Sequence, residues 1–293
     1  MNGTARLPVT SADAAEVRLG LIGDNIGPSR SPALHRLAGE LTGFRVSYDL
    51  LVPPQLGLSF DAVLSAAHRE GLRGVNVTLP YKERVLGQVR VKDPAVARIG
   101  AVNTVRFSEG EAVGFNTDYS GFIAAFRAAF GSQSPGRTVV IGTGGVGKAI
   151  AFGLIALGAP RIVLVDKDKL KAEALAHSLV EAAEGRSEVD VAGLDALSSA
   201  EGVVNGTPLG MVGYPGSPVP DGAFPPAAWA FDAVYTPTDT PFRAQARAAG
   251  ARFLSGWELF FHQGVDAFEI FTGRRPDLAA LRAALGDAPP TEG

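Results

Sequence analysis

The order of apolar and polar positions divides the chain into short blocks that alternate between strand-like and helix-like patterns. Residues 18–22 (RLGLI) form an apolar run that ends in a Gly-rich turn at 23–28, as a buried strand does. Ser31-Pro32 then opens a helix, with Ser as the expected N-cap and Pro suited to the first helical position. Leu34, Leu37, Ala38 and Leu41 give it an apolar face at helical spacing. A strand over 46–52 closes at Pro53-Pro54, and a helix over 60–70 is framed by Ser59 as N-cap and Gly71 past its end. Residues 74–79 (GVNVTL) read as a strand, which Pro80 stops while starting another helix. Strand and helix in alternation predict a parallel or mixed α/β sheet.

The turn-rich stretch 131–136 (GSQSPG) separates this first unit from a second. Buried strands are expected at 138–141 and 162–165, with a helix over 146–157 between them and an amphipathic helix over 172–183. Further strands are expected at 202–204, 230–234 and 252–254, and the pattern closes in two helices, about 257–272 and 277–285.

A chain of 293 residues suits two domains or one large one, and 46% hydrophobic against 19% charged residues is ample for a packed core. The formal net charge of −3 gives neither a basic footprint for nucleic acid nor a polybasic stripe for a membrane. With no cysteine there is no disulfide framework, thiolate metal site or cysteine nucleophile. The four histidines, His35, His68, His177 and His262, lack ligand spacing, so no metal is expected. Residues 1–17 lack the apolar core of a secretory signal. The longest apolar run, 149–159, is about half the ~20 residues that span a bilayer, so it reads as a buried helix. A cytoplasmic protein, with no membrane or nucleic-acid partner, is the expectation.

Gly142-Thr143-Gly144-Gly145-Val146-Gly147 fits G-x-G-x-x-G, follows a predicted strand and opens a predicted helix. Asp166 closes the next strand 19 residues after Gly147. Together these make the dinucleotide-binding fingerprint in its structural context. Gly142 allows the tight turn, Gly144 lets backbone approach a pyrophosphate, and Gly147 lets helix and strand pack closely. The helix N-terminus offers unpaired N–H groups and a positive dipole end to phosphates. Asp166 can accept from a ribose 2′-OH and repel a 2′-phosphate, whereas Lys167, Lys169 and Lys171 nearby can tolerate one. NAD is therefore favoured, with NADP as the second cofactor to consider.

Four polar clusters sit near the ends of apolar runs, where open α/β sheets place their ligands. They are 29–31 (SRS), 76–82 (NVTLPYK), Asn103-Thr104 and 116–118 (NTD). Their hydroxyls, amides, one ammonium and one carboxylate suit a small polyhydroxy molecule. Each also has a plainer reading: Ser31 as N-cap, Asn103 as a turn residue, Asp118 as N-cap of a helix over 119–130, Lys82 as a solvated cation.

The segments SRSPALH (29–35), GVNVTLPYK (74–82), IGAVNTV (99–105), GFNTD (114–118), GTGGVGKA (142–149), NGTPLGM (205–211) and FFHQGVDAFEIFTG (260–273) together resemble, in order, the motifs of the shikimate/quinate dehydrogenase family. The resemblance implies an N-terminal α/β substrate domain with a mixed sheet over 1–117, completed by residues 256–293. It implies a Rossmann-type, doubly wound cofactor domain over 118–255, with the active site in the cleft between them. Lys82 and Asp118 match the family's catalytic pair. Ser29, Ser31, Asn76, Thr78, Asn103, Tyr235 and Gln263 match its substrate-binding groups. Gly142, Gly144, Gly145, Val146, Gly147, Asp166, Lys167, Lys171, Thr207, Met211 and Gly256 fall at cofactor-binding positions. The implied reaction moves a hydride from a ring secondary alcohol to NAD or NADP, interconverting shikimate and 3-dehydroshikimate, and by extension quinate and 3-dehydroquinate.

Three departures qualify the match. Asp166-Lys167-Asp168 stands where many NADP-using members carry Asn-Arg-Thr, which points to the NAD-using branch. Leu259-Phe260 replaces the usual Met-Leu, altering the shape expected for the nicotinamide pocket. Pro28-Ser29 replaces His-Ser, and the Ser29/Ser31 pair points to shikimate, against the quinate branch. Competing readings are a dehydrogenase of an amino analogue of the same ring, the methylenetetrahydrofolate dehydrogenase architecture and a non-catalytic nucleotide sensor. The polar clusters favour a polyol ring over a pterin, and the presence of both Lys82 and Asp118 favours turnover. The protein is expected to be a monomer or a homodimer.

Overall fold

The computed structural model describes residues 15–108 and 110–286. Most of the N-terminal stretch read above for a signal, and the ends of the expected domain limits at 1 and 293, lie outside the described residues. The first half runs β1 (Ala15–Ile22), α1 (Ser31–Thr42), β2 (Phe44–Leu51), α2 (Pro53–Leu56), α3 (Phe60–Arg69) and β3 (Gly74–Val77). A 3₁₀ turn (Arg84–Gln88), β4 (Arg90–Val91), α4 (Pro94–Ile99), β5 (Thr104–Ser108), β6 (Glu111–Phe115) and α5 (Thr117–Phe130) follow. The second half runs β7 (Arg137–Ile141), α6 (Gly145–Ala156), β8 (Arg161–Val165), α7 (Lys169–Ala183) and β9 (Glu188–Val191). After a second 3₁₀ turn come β10 (Gly202–Asn205), β11 (Trp229–Asp232), α8 (Pro241–Ala248), β12 (Arg252–Ser255), α9 (Gly256–Thr272) and α10 (Leu278–Leu285).

The first sheet has the order β2-β1-β3-β5-β6-β4. It is mixed: β1 pairs parallel with β2 and β3, while β5 is antiparallel to both β3 and β6. Strand period decides what each face receives. Val75 and Val77 pack with Phe60, Val63 and Leu64 of α3 on one side. Asn76 therefore emerges on the other, in register with Leu21 on β1 and Thr104 on β5. That side is covered by α1, α9 and α10, through Leu34, Phe261, Phe268 and Leu281.

The second sheet has the order β12-β11-β10-β7-β8-β9 and every pair in it is parallel. This is the doubly wound order, with its switch point between β7 and β10. The central strands β7, β8, β10 and β11 are buried on both faces, which is why they read as unbroken apolar runs, whereas the edge strand β9 (EVDV) has no buried position and no such run. Ile99 and Ala101 of the first half share one core with Phe122 and Phe126 of α5 and with Ile150 and Leu164 of the second.

Three local expectations are corrected. Arg30, not Ser31, is the N-cap of α1 and its side chain makes no cap bond; Ser31 is the first helical residue, its N–H donating to Ser29 Oγ at 3.2 Å. Asn116, not Asp118, caps α5, accepting from the Tyr119 N–H at 3.1 Å. Its amide also donates to the Ala101 carbonyl at 2.9 Å, an anchor that Asp118 could not have supplied. Pro80 starts no helix, because the carbonyl of Lys82 is taken by Val102 N–H at 2.8 Å and the chain tightens into the 3₁₀ turn instead.

Helix α9 returns from the second sheet to lie against α5. Its approach is set by Gly121, where an added Cβ would stand 2.7 Å from the Gln263 backbone nitrogen. We predict that Gly121→Ala destabilises the protein by about 1–3 kcal/mol through this overpacking, read as a lower midpoint in urea denaturation. An unchanged midpoint would show that the helix pair yields freely.

Candidate active site

The mixed sheet explains how distant segments meet. Because β5 runs against β3 and β6 runs against β5, the end of β3, the start of β5 and the end of β6 share one edge. Asn76 pairs with Thr104 and Thr104 with Phe115, so residues 76–82, 103–104 and 116–118 emerge side by side. Asp118 stands in the first turn of α5, where the helix dipole favours a carboxylate. With capping left to Asn116, the Asp118 carboxylate turns to Lys82 and accepts from its Nζ at 2.6 Å. The side chains are 14% and 8% exposed, so little water screens the pair.

Lys82 also meets the glycine turn of the second sheet. A Cβ on Gly145 would lie 3.2 Å from Lys82 Cδ and 3.3 Å from its Cβ. The next residue, Glu83, pairs with Lys148 of α6 at 2.9 Å. Lys82 is thus held between an acid in the first turn of α5 and the start of α6.

A hydrogen-bonded wall continues from this pair. Asn76 accepts from Tyr48 at 2.8 Å and donates to Thr104 at 3.0 Å. Asn103 Oδ1 accepts from Thr117 N–H at 2.7 Å and its amide donates to Thr117 Oγ1 at 3.0 Å. Thr117 reaches Gln263 of α9 at 3.4 Å. Ser29 donates to Ser31 at 3.1 Å. Tyr235 stacks on Phe260 with centroids 4.9 Å apart. Burial pushes its hydroxyl up to about 12 against smaller pulls from Ser29 and Arg30, and the Asp118 carboxylate adds to the rise. Thr78, half-buried, donates its N–H to the Ile22 carbonyl at 2.9 Å. The expected substrate-side residues Ser29, Asn76, Asn103, Thr117's partner Gln263 and Tyr235 are thereby linked, by bonds or by charge, to one region around Lys82 and Asp118.

The glycine turn lies at the switch point between β7 and β10. Gly142 has φ +94°, a conformation that favours glycine, and a Cβ there would press on Thr207 at 2.7 Å. A Cβ on Gly147 would run into the Gly142 carbonyl oxygen, so helix and turn approach as closely as backbone permits. Gly144 has nothing within 4 Å of its Cβ direction. The helical bonds of α6 begin with Lys148 N–H to the Gly144 carbonyl at 2.8 Å, leaving the earlier N–H groups, Val146 among them, without helical partners. An open glycine beside unpaired donors at a helix start fits a dinucleotide pyrophosphate.

Asp166 follows β8 and faces this turn. Its Oδ2 accepts from both the N–H and the hydroxyl of Thr143 at 2.7 Å, and its Oδ1 from Asp168 N–H at 2.9 Å. Burial pushes its carboxyl up, but those bonds and Lys171 outweigh it and hold the group below the usual carboxylate range. Lys167 and Lys171 are exposed beside it. Asp168 is the N-cap of α7, which spends its carboxylate on Lys171 N–H. Thr207 is fixed by Asn205, whose Oδ1 accepts from its N–H at 2.9 Å and its hydroxyl at 2.7 Å. Met211 is half-buried in the same loop. Gly256 stands differently: a Cβ there would meet the Asp232 and Ala233 carbonyls at 2.6 Å, so it packs the start of α9 onto β11.

Sequence reasoning passed over Tyr48, Thr104 and Thr117 as individual site residues. Tyr48 lies in a strand with no motif around it. Asp232 was also missed: fully buried, it accepts from Asn205, Thr240 and Val234 N–H, while burial raises its carboxyl to about 6. Among the described residues no helix is long and apolar enough to cross a membrane. No cluster of three or more acidic or imidazole groups suited to a metal ion is found among them either.

Residues 21–105 match the family model described as the shikimate dehydrogenase substrate binding domain, and residues 256–285 that of the shikimate 5'-dehydrogenase C-terminal domain. A quinate/shikimate dehydrogenase (NAD(+)) of Corynebacterium efficiens is 38% identical over 277 residues, spanning 92% of this chain and 97% of that protein. A shikimate dehydrogenase (NADP(+)) of Streptomyces avermitilis is 39% identical over 276 residues, spanning 92% and 94%. The solved structure of quinate dehydrogenase from Corynebacterium glutamicum in complex with NAD superposes with a TM-score of 0.84 at 34% identity, covering 92% of this chain and 98% of that one. Likeness of this extent, through both sheets and the returning helices, means that the chain belongs to the shikimate/quinate dehydrogenase family.

Proposed function

We propose that the protein is an NAD(P)-dependent dehydrogenase that interconverts shikimate and 3-dehydroshikimate, and quinate and 3-dehydroquinate as a second pair. The observation that carries this reading is the 2.6 Å contact of Lys82 Nζ with Asp118, made against the glycine turn. Residues 1–117 with 256–293 serve the substrate, and residues 118–255 serve the cofactor. The protein works as a monomer or homodimer in the cytoplasm, on a small polyhydroxy carboxylic acid.

Nicotinamide dinucleotide, when bound, supplies the hydride acceptor. Gly142, Gly144, Gly145, Val146 and Gly147 would hold its pyrophosphate, Asp166 its ribose diol, and Thr207 and Met211 would border its reactive ring. A carboxylate at Asp166 favours NAD over NADP, since it accepts from a 2′-OH and repels a 2′-phosphate. Lys167 and Lys171 soften that preference.

Oxidation of a ring carbinol removes a hydride from carbon and a proton from oxygen. As the neutral amine, Lys82 Nζ stands to take that proton and become the ammonium, and to return it in the reverse reaction. Asp118 orients Nζ and accepts from a neighbouring ring hydroxyl. Ser29, Ser31 and Tyr235 bind the carboxylate end; Asn76, Thr78, Asn103 and Gln263 bind the hydroxyl end. Position is the main contribution of these groups, because the reacting carbon must face the cofactor with its oxygen at Lys82.

Purified protein mixed with shikimate and NAD is expected to produce reduced cofactor, followed by its absorbance, with NAD outperforming NADP in kcat/KM. No turnover with either shikimate or quinate, on either cofactor, would refute the assignment. Lys82→Ala is expected to lower kcat about 10²–10⁴-fold, the usual scale of positioned proton transfer, with the Kd for NAD retained in a fluorescence titration. An unchanged kcat would remove Lys82 from the reaction.

A further inference from the structure

Tyr48 is 2% exposed and carries a hydroxyl that no assigned role uses. It stands on β2, the edge strand, opposite Leu19 of β1. Its ring extends past β1 to reach Asn76 on β3, two strands away, and its O–H donates to Asn76 Oδ1 at 2.8 Å. The phenol of Tyr48 is packed from behind by His35 of α1, with ring centroids 4.9 Å apart and planes 17° from parallel. Phe268 and Phe271 of α9 close the other sides of His35.

The bond to Tyr48 decides which way the Asn76 carboxamide faces. An amide has one acceptor oxygen and a nitrogen with two hydrogens. Here the oxygen faces the phenol, and the nitrogen faces Thr104 Oγ1 at 3.0 Å and the Asn103 carbonyl at 3.4 Å. Both hydrogens are therefore engaged within the wall. No N–H of Asn76 remains to donate to a ligand; any bond it makes to a ring hydroxyl is accepted by its oxygen, which also faces the His35 ring.

We propose that Tyr48 is a positioning residue that fixes Asn76 as an acceptor toward the substrate ring; the proposal rests on the reading of this wall as the ring-hydroxyl subsite. Two features keep Tyr48 in the donor state this requires. Burial lifts its hydroxyl far above the ordinary tyrosine range, outweighing a smaller pull from Ser31. Burial also drives His35 down to about 3, against a smaller opposing pull from Asn76, so the ring stacked on Tyr48 is neutral at working pH. Ser31 lies near the hydroxyl of Tyr48, which places this one phenol beneath both the serine pair and the hydroxyl wall.

Tyr48→Phe removes the hydroxyl and keeps the stack on His35. It is expected to raise KM for shikimate about three- to tenfold, the scale of one net hydrogen bond, with KM for NAD unchanged. Thr104→Val removes another anchor of the same carboxamide and is expected to raise the same KM. The double variant should exceed the worse single variant only slightly, because one freed carboxamide is lost once. An unchanged KM for shikimate in Tyr48→Phe would overturn the proposal, as would a parallel rise in both KM values with a lower Tm, or full additivity in the double variant. Turnover by the unaltered enzyme tests the substrate reading separately, so a failure of Tyr48 is distinguishable from a failure of that reading.

Discussion

The contact between Lys82 and Asp118 depends on a division of labour at one helix start. A helix N-terminus needs an acceptor for its unpaired N–H groups, and the residue that provides it has little capacity left. Asn116 takes that task and also ties the turn to Ala101. Asp118, two residues on, keeps an oxygen for Lys82. Were Asp118 the cap, its carboxylate would face its own backbone, and Lys82 would have no acid to hold it.

Placement of the lysine is equally constrained. Its carbonyl is bonded to Val102, its flank meets Gly145 and its neighbour Glu83 pairs with Lys148. These contacts come from β5's approach, from the glycine turn and from α6, so the amine is fixed from both sheets. Small residues make this closeness feasible where larger ones would hold the elements apart: Gly121 against Gln263, Gly264 against Leu34, Gly147 against Gly142. The same economy of space brings α9 back across α5 and delivers Gln263 to Thr117.

Much of the second sheet is legible in the sequence because its central strands are buried on both faces and therefore read as unbroken apolar runs, while the polar edge strand β9 gives no such signal. The glycine turn and Asp166 are legible because their chemistry requires fixed residue types at fixed spacing. The hairpin of β5 and β6 is harder to see: TVRFS and EAVGF are short, and half their positions face away from the core. The polar wall is partly legible, since Asn76, Asn103 and Asp118 fall in polar clusters, but the clusters meet only through the reversed direction of β5, which no local pattern announces. Tyr48 belongs to a further class. Nothing in VSYDL marks it as more than a core aromatic, and its hydroxyl acquires meaning only when β2 and β3 lie on either side of β1. The error over Asp118 has a similar origin: Asn116 and Asp118 are both good caps, and only the position of the Ala101 carbonyl decides between them.

In the proposed reaction Lys82 and Asp118 act as one unit on a single carbinol. This coupling is tested most directly by kcat/KM for shikimate in Lys82→Met, Asp118→Asn and the double variant, set against the unaltered enzyme. Groups that act as a unit give strongly non-additive losses, so the double variant should be about as slow as the slower single one. Losses that multiply, each residue contributing independently of the other, would contradict the account.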